Sequence, residues 1–568
     1  DCLLAAMGNL ADDGASAAPK PIPAAWFALD NAPEGHRPLP LPPPSQTILD
    51  AFLHMTRQNP SRPFLADRSG VRSRRQILIG VLALSHVFRQ LPDQRLGIML
   101  PAVPAAVVVW LAALLAGKEP VMLNWTVGAR NMAHCITLSG ITRAVTSSAL
   151  LDQLARTGNP VKDAGIEWLA AERLAAGLRL ADKLKAAVRA AWHCLGLFPV
   201  RPDRTPDIAA VLFTSGSESN PKAVPLSHSN LMTNAGDILT VLQVKQRDRV
   251  LAMLPPFHSF GLMVGLVAPA TTGLCAAYHP NPTESAPLVS LVRDYKLSLL
   301  GATPTFLDAM ISRAQGTSDL STLRFAFAGA EKCPERVYQA FSRCCPTASL
   351  CEGYGITECS PVVSVNRPGQ AVPGSIGHPL PSVRTAIVIE EDDAQGRPRA
   401  VRRAKENETG MLLVRGKSIF SGYLGQAPDP FVEFEGERWY RTGDLLSQDS
   451  DGRLVFKGRL KRFVKIGGEM ISLPQMEELL QTALKDRPDL PEDGKPFVAV
   501  EARPGSEDAG QAEILAFTVL PLTPQEVNHV FRQAGLAPIY AVRRIVRVQE
   551  IPLLGTGKTD YRALQALV

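Results

Sequence analysis

Ile208-Ala209-Ala210-Val211-Leu212-Phe213 runs without a break into Thr214-Ser215-Gly216-Ser217-Glu218-Ser219-Asn220-Pro221-Lys222. An apolar run followed by hydroxyls packed around a glycine reads as a buried strand emptying into a turn. The backbone N–H groups and Ser/Thr hydroxyls of such a turn can wrap phosphate oxygens, and Lys222 adds a positive charge. The Walker pattern G-x-x-x-x-G-K-[ST] is absent, so this is not that phosphate loop. Standing alone, a Ser/Gly-rich turn is an ordinary polar loop. Its surroundings decide.

Outward from this point, apolar strand-like runs alternate with helical segments. Val250–Met253, Ser298–Gly301 and Leu323–Ala328 follow the first strand, which predicts an α/β architecture with at least partly parallel sheet. Upstream, Ala105 to Ala116 is a continuous apolar run between Pro104 and Gly117-Lys118. It falls short of the roughly 20 residues a bilayer needs, so a buried helix leading to the strand Pro120–Leu123 is expected. Downstream, 376–460 carries short alternating strands (Thr385–Ile389, Met411–Val414, Leu454–Lys457) punctuated by Gly and Asp, as in a small β-rich subdomain. The organisation expected is a Pro/Ala-rich arm or linker over 1–45, a large domain over 46–459, and a small α+β domain over 460–568.

Composition sets bounds on function. The chain of 568 residues has 46% hydrophobic and 20% charged residues, as folded globular proteins do. A net charge of +6 permits an acidic partner or an anionic membrane surface, and no basic–aromatic pattern points to nucleic acid. Nine cysteines without a C-x-x-C pair indicate neither a disulfide framework nor a zinc site. From Trp168 to Phe198, Leu174, Leu178, Ala181, Leu184, Val188, Ala191 and Leu195 recur at helical spacing beside Arg173, Arg179, Lys183, Lys185 and Arg189. A basic amphipathic helix of this kind can lie on an anionic membrane. It can equally be a surface helix with its apolar side on the core.

Further motifs follow the Ser/Gly loop in a fixed order. Pro255-Pro256-Phe257-His258-Ser259-Phe260-Gly261 comes first, then Gly329-Ala330-Glu331, then Gly353-Tyr354-Gly355-Ile356-Thr357-Glu358. Tyr440-Arg441-Thr442-Gly443-Asp444, Gly458-Arg459 with Lys461, Lys465-Ile466-Gly467-Gly468-Glu469 and Pro552-Leu553-Leu554-Gly555-Thr556-Gly557-Lys558 complete the set. Together with the loop, this set resembles the signatures of the adenylate-forming superfamily from about residue 50 to the end. That superfamily includes acyl-CoA synthetases, acyl-ACP synthetases, luciferases and nonribosomal adenylation domains. The resemblance implies a large multi-subdomain adenylation domain and a small mobile C-terminal domain, acting on a carboxylic acid with ATP and Mg²⁺.

It also implies roles for individual residues. Thr214, Ser215, Gly216, Ser217 and Lys222 would handle phosphate. Gly329, Ala330 and Glu331 would run along the adenine, with Tyr354 stacked on it and Gly355 beside it. Thr357 would hydrogen-bond the α-phosphate, and Glu358 offers a hard oxygen ligand for Mg²⁺. Asp444 and Arg459 would hold the ribose, and Lys558 would bridge carboxylate and α-phosphate, where catalysis is mainly charge neutralisation and alignment. His258 would border the acyl site, Lys461 would be the interdomain hinge, and Gly467 and Gly468 would frame the thiol channel. Gly261, Leu262, Gly301, Ala302, Thr303 and Phe306 would line the acyl pocket, and their sizes leave room for a long chain.

The local details look closest to bacterial acyl-ACP synthetases, including the synthetase half of bifunctional enzymes that also carry an acyltransferase. The residues ahead of 50 are too few for such a second domain. The expected reaction is therefore ATP-dependent activation of a fatty acid and transfer to acyl carrier protein, with a fatty acid–CoA ligase as the rival. A cytoplasmic enzyme with peripheral contact at the inner face of the cell membrane would suit that substrate. Glu218, Ser219 and Ala223 depart from the common loop and give some footing to a non-catalytic nucleotide-binding scaffold. Lys558, Glu358 and Asp444 stand against it.

Overall fold

The computed structural model describes residues 20–41, 47–156, 161, 165–202, 204–214, 221–314, 318–392, 398–425, 428–466, 469–485, 487–491, 495–503, 513–534, 536, 540–554 and 559–568. They form two compact units. The first takes in the described residues of Asp1–Gly216, Asn220–Arg384 and Val414–Pro430, the second those of Thr385–Leu413 and Phe431–Val568. The α/β architecture expected from the alternation of apolar runs is the one observed.

Among the described residues the first unit holds two large sheets. In the smaller, the strands run in the order Glu167–Ala170, Arg143–Thr146, Arg95–Ile98, Glu119–Met122, Ile208–Phe213 and Ala223–Ser227. All neighbours are parallel except the last pair, which flank the Ser/Gly loop as an antiparallel hairpin. The helix Pro104–Leu115 packs here with every residue buried. Its apolar residues surround the whole axis, which fits burial on all sides. Trp110 Nε1 donates to Ala209 O at 2.9 Å and pins this helix to the strand that feeds the loop. No helix among the described residues is long and apolar enough to cross a membrane.

The larger sheet runs His378–Pro379, Val362–Val365, Ser349–Gly355, Phe325–Ala328, Leu299–Ala302, Arg249–Ala252, Cys275–Tyr278, Pro63–Asp67 and Gly70–Ser73. Its centre is parallel and its edges are antiparallel. The helix His228–Val241 opens with a capping box between Ser227 and Asn230. The fully buried Asn234 exchanges two hydrogen bonds with the backbone of Val362, at 2.7 and 3.1 Å, which fixes this helix against the sheet.

In the β-rich segment, Val383–Asp392, Gly410–Gly416 and Leu454–Arg459 cover the strands expected there, and most of their residues belong to the second unit. That unit also contains a three-stranded sheet of Val498–Arg503, Glu513–Thr518 and Arg544–Arg547 with the helices Leu473–Leu484 and Pro524–Gln533. Beside them, Arg462 reaches Glu477 at 2.8 Å and Glu501 at 3.1 Å, and lies 3.7 Å from the Tyr561 ring. Burial pushes the Glu477 carboxyl up from its usual range, and Arg462 pulls against that.

The stretch from Trp168 to Phe198 is not one helix. Trp168 lies in the strand Glu167–Ala170, and two helices follow, Ala171–Gly177 and Leu180–Cys194. The break falls at Leu178, whose backbone is extended (φ −67°, ψ 125°) and whose side chain is buried. Leu178 and Arg179, both extended, separate the two helices. The longer helix is pinned by His193, whose ring meets Leu53 O at 2.9 Å and the Val200 N–H at 3.1 Å.

His228 shows how burial is coupled to titration. It is 7% exposed, and its Nδ1 accepts the N–H of Ile48 at 3.2 Å, at the start of the helix Ile48–Gln58. Burial holds its pKa down at about 4, against an ordinary value near 6.5. Stability from the neutral ring is therefore complete above pH 6.5 and is lost as pH falls from 6.5 toward 4. The full loss is on the order of 3 kcal/mol. The urea midpoint should fall across that window, and His228→Gln should flatten the fall. An equal slope in both proteins would clear His228 of the effect.

Candidate active site

Parallel pairing aligns the ends of three strands. Ala302 is in register with Ala328, and Ala328 with Glu352. The residues that follow, Thr303, Gly329 to Glu331 and Gly353 to Glu358, therefore gather along one carboxyl edge. Crevices at such edges are where open α/β sheets bind ligands. Gly329 N–H bonds Ala302 O at 3.2 Å, and Thr305 Oγ1 donates to Glu331 Oε2 at 3.1 Å, tying the two turns together. Ala330 takes a left-handed φ of 73°.

The hexapeptide is shaped by close packing. A Cβ on Gly353 would come within 2.9 Å of the Phe327 ring, and one on Gly355 within 2.4 Å of Pro361 O. Beyond them Thr357 and Glu358 enter a short 3₁₀ turn, Thr357–Cys359, where Glu358 is only 7% exposed. Glu352 points elsewhere. Its carboxylate accepts the Cys333 N–H and the Tyr338 hydroxyl, both at 3.0 Å, and burial pushes its pKa up. Glu352 thus braces the strand, whereas Glu358 sits on the turn at the edge.

Thr214 and Lys222 close the base of the Ser/Gly loop. Thr214 N–H bonds Lys222 O at 3.0 Å, and Lys222 N–H bonds Thr214 Oγ1 at 3.0 Å. Lys222 Nζ stands 4.7 Å from the centroid of the Tyr423 ring, and the Tyr423 hydroxyl donates to Glu358 Oε1 at 2.7 Å. One aromatic ring thus couples the loop's cation to the hexapeptide's carboxylate. Nothing in the spacing of the motifs singles out Tyr423. Its own segment is anchored by Phe420 N–H to Glu358 O at 2.9 Å and Leu424 N–H to Ala223 O at 3.0 Å.

Beneath this edge lies an apolar cavity of about 70 Å³. Gly301 and Phe327 of the sheet, Ile238 and Leu239 of the helix His228–Val241, and Met263 and Val264 contribute to its wall. Met263–Val267 is a stretch of π-helix, a wide turn often found at functional sites. Phe260 closes over Gly301, where a Cβ would come 3.0 Å from its ring. Gly261, Leu262, Ala302, Thr303 and Phe306 do not line this cavity. Ala302 and Phe306 are packed in the adjoining core, as period-two alternation from Gly301 requires of Ala302. Thr303 Oγ1 caps the helix Pro304–Arg313, and Gly261 fits where a Cβ would lie 2.2 Å from Pro255 O. His258 precedes the turn Ser259–Leu262, with its ring 4.5 Å from that of Phe257, which in turn packs edge-on to Trp125 at 4.4 Å.

In the second unit Asp444 and Arg459 are paired across two antiparallel strands, with Arg459 Nε 3.2 Å from Asp444 Oδ1. Asp444 is 1% exposed, its N–H held by Thr442 Oγ1 at 3.1 Å. The backbone of Lys461 lies in the short turn Leu460–Arg462. Ser215, Gly216, Ser217, Gly467, Gly468 and Lys558 lie outside the described residues. Among the described residues no group of three or more His, Cys, Asp or Glu could hold a metal ion. The donors fit a hard cation only as Glu358 together with oxygens of a bound ligand.

Residues 52–424 match the family model described as AMP-binding enzyme, and the chain belongs to that family. It is 29% identical to indoleacetate–CoA ligase of Aromatoleum aromaticum over 365 residues, 63% of this chain and 67% of that protein. It is 28% identical to medium-chain fatty-acid–CoA ligase of Escherichia coli over 354 residues, 62% of this chain and 60% of that one. The chain thus matches 60% of the length of one curated relative and 67% of the other. Among solved structures, ATP-bound MatB of Rhodopseudomonas palustris aligns with TM-score 0.73 at 21% identity, covering 92% of this chain and 99% of that one. O-succinylbenzoate coenzyme A synthetase of Bacillus subtilis, solved with ATP and magnesium ion, aligns with TM-score 0.73 at 18% identity and covers 92% and 99%. At those identities the likeness is one of fold, that of enzymes with a large N-terminal and a small C-terminal domain.

Tyr423 is open to a direct check. Tyr423→Phe removes a hydrogen bond to a charged group, of about 1.5–3 kcal/mol, and should weaken AMP binding about tenfold in titration calorimetry. An unchanged affinity would make Tyr423 a packing residue only.

Proposed function

We propose that the chain activates an aliphatic carboxylic acid with ATP and passes the acyl group to a phosphopantetheine thiol. The observation that carries this reading is the adjacency of two unlike environments. A wholly apolar cavity is walled by Gly301 and Phe327 of the strands whose edge leads to Glu358, and Tyr423 links that carboxylate to Lys222 of the Ser/Gly loop. An aliphatic tail suits the first, and a carboxylate beside a polyphosphate suits the second.

In the first step a carboxylate oxygen attacks the α-phosphorus, the α–β phosphoanhydride bond breaks and pyrophosphate leaves. Lys222 and the loop hydroxyls offset phosphate charge, Thr357 donates to the α-phosphate and Tyr354 stacks on adenine. Glu358 would hold Mg²⁺, which when bound neutralises phosphate charge. Asp444 accepts from the ribose hydroxyls, with Arg459 oriented on it at 3.2 Å. Lys558 bridges carboxylate and α-phosphate, a role taken over from the family's C-terminal loop. In the second step the thiolate sulfur attacks the acyl carbonyl and AMP departs. Residues 460–568 act in this reading as a mobile domain turning about Lys461, with Gly467 and Gly468 beside the thiol.

The acceptor is the finer question. The local resemblance of the loop, the hexapeptide and the Lys558 segment supports acyl carrier protein. The relatives named as CoA ligases support CoA. Supplying the purified chain with ATP, palmitate and either holo-acyl carrier protein or CoA separates the two. Thioester on CoA alone would reject the carrier protein.

Two variants test the acid half-reaction by pyrophosphate release. Lys558→Ala should abolish acid-dependent release while the protein stays folded by circular dichroism, and an unaltered rate would remove Lys558 from the mechanism. Val264→Trp fills the cavity wall. It should cut kcat/KM for palmitate at least tenfold, equivalent to about 1.4 kcal/mol, while sparing short acids. An equal loss for all acids would place the acyl chain elsewhere.

A further inference from the structure

The helix Leu180–Cys194 is built inside out. Its buried residues are Ala186, Ala190 and His193, small or polar. Its large apolar residues face outward: Leu180 is 72% exposed, Leu184 58%, Val188 43% and Trp192 43%. Spacing of four keeps these on one stripe, and Leu195, 71% exposed, continues it at the cap. The chain then turns back so that Phe198 packs 5.1 Å from Trp192, and Leu197 and Phe198 extend the patch at 61% and 65% exposure. Of the twelve exposed large hydrophobic residues among those described, seven lie between 180 and 198. The helix cannot simply roll to hide them, because both ring nitrogens of His193 are engaged with backbone at 2.9 and 3.1 Å.

Charge indicates what this face meets. Lys185 and Arg189 follow Leu184 and Val188 by one residue and so run along one border of the stripe. Lys183 precedes Leu184 and lies on the other border, and Arg179 stands at the helix N-cap. The acids nearby are engaged: Asp182 lies 3.7 Å from Lys185, and Glu172 accepts the Ser148 N–H at 2.7 Å. An apolar ridge carrying a Trp, bordered on both sides by cations, matches the layering of an anionic bilayer surface. There the acyl boundary takes the ridge and the phosphates take the cations.

We propose that this face, from Leu180 to Phe198, docks the protein on the surface of an anionic lipid bilayer, with the helix lying in the interface. The sequence alone left the orientation of this helix open, and the outward stripe is what decides it. The proposal does not depend on the nature of the acid or the thiol.

The full chain would be sedimented with vesicles of phosphatidylethanolamine and phosphatidylglycerol, and separately with phosphatidylcholine vesicles. We expect partitioning to the anionic vesicles that weakens as salt is raised. Leu184→Glu with Leu195→Glu should reduce it at least tenfold, and Lys185→Gln with Arg189→Gln several-fold. Circular dichroism and Tm should stay unchanged, since these side chains are exposed. Failure of the parent chain to pellet with anionic vesicles would overturn the proposal. So would equal pelleting of parent and Leu184→Glu/Leu195→Glu. A parent chain that dimerises without pelleting, and becomes monomeric in that double variant, would assign the face to a second copy and overturn it as well.

Discussion

The parallel backbone ladder that joins Leu299–Ala302, Phe325–Ala328 and Ser349–Gly355 is the constraint on which the site in the first unit rests. Its register brings three separate turns to one edge. A slip of one residue would exchange the faces of Gly301 and Ala302 and fill the cavity with side chains. The buried groups nearby serve this register. Glu352 braces its strand through Cys333 and Tyr338, and Asn234 locks a helix onto Val362. The glycines at 353 and 355 let neighbouring backbone and rings approach closer than any side chain would permit.

That edge divides two kinds of physical chemistry within a short reach. Above the strands, carbonyl and amide groups of the turns, Lys222 and Glu358 make a polar, charge-bearing surface. Below, the sheet face and the wide π-turn at Met263–Val267 leave apolar space. Tyr423 serves the polar side with both parts of its side chain, the ring toward Lys222 and the hydroxyl toward Glu358. In the reading proposed above, an amphipathic acid would place its charged head where charge can be offset and its tail where water is excluded.

Periodicity and turn chemistry were enough to read the α/β alternation, the buried helix at Pro104–Leu115 and the β-rich segment after 376, because each depends on local pattern. The ordered motifs were enough to read the family, and those beginning at Gly329 and Gly353 follow the aligned strand positions Ala328 and Glu352. Other features depended on partners distant in sequence. Tyr423 lies 65 residues from Glu358, and no spacing rule connects them. Residues 263 and 264 line the cavity from a π-helical stretch, which apolar composition does not reveal. The helix from Leu180 to Cys194 makes the same point. Its sequence fixes an apolar stripe with basic borders, but a stripe is equally at home on a core or on a membrane. Only packing decided that Ala186, Ala190 and His193 would face inward, because burial of that small face and the hydrogen bonds of His193 hold the large side chains in solvent.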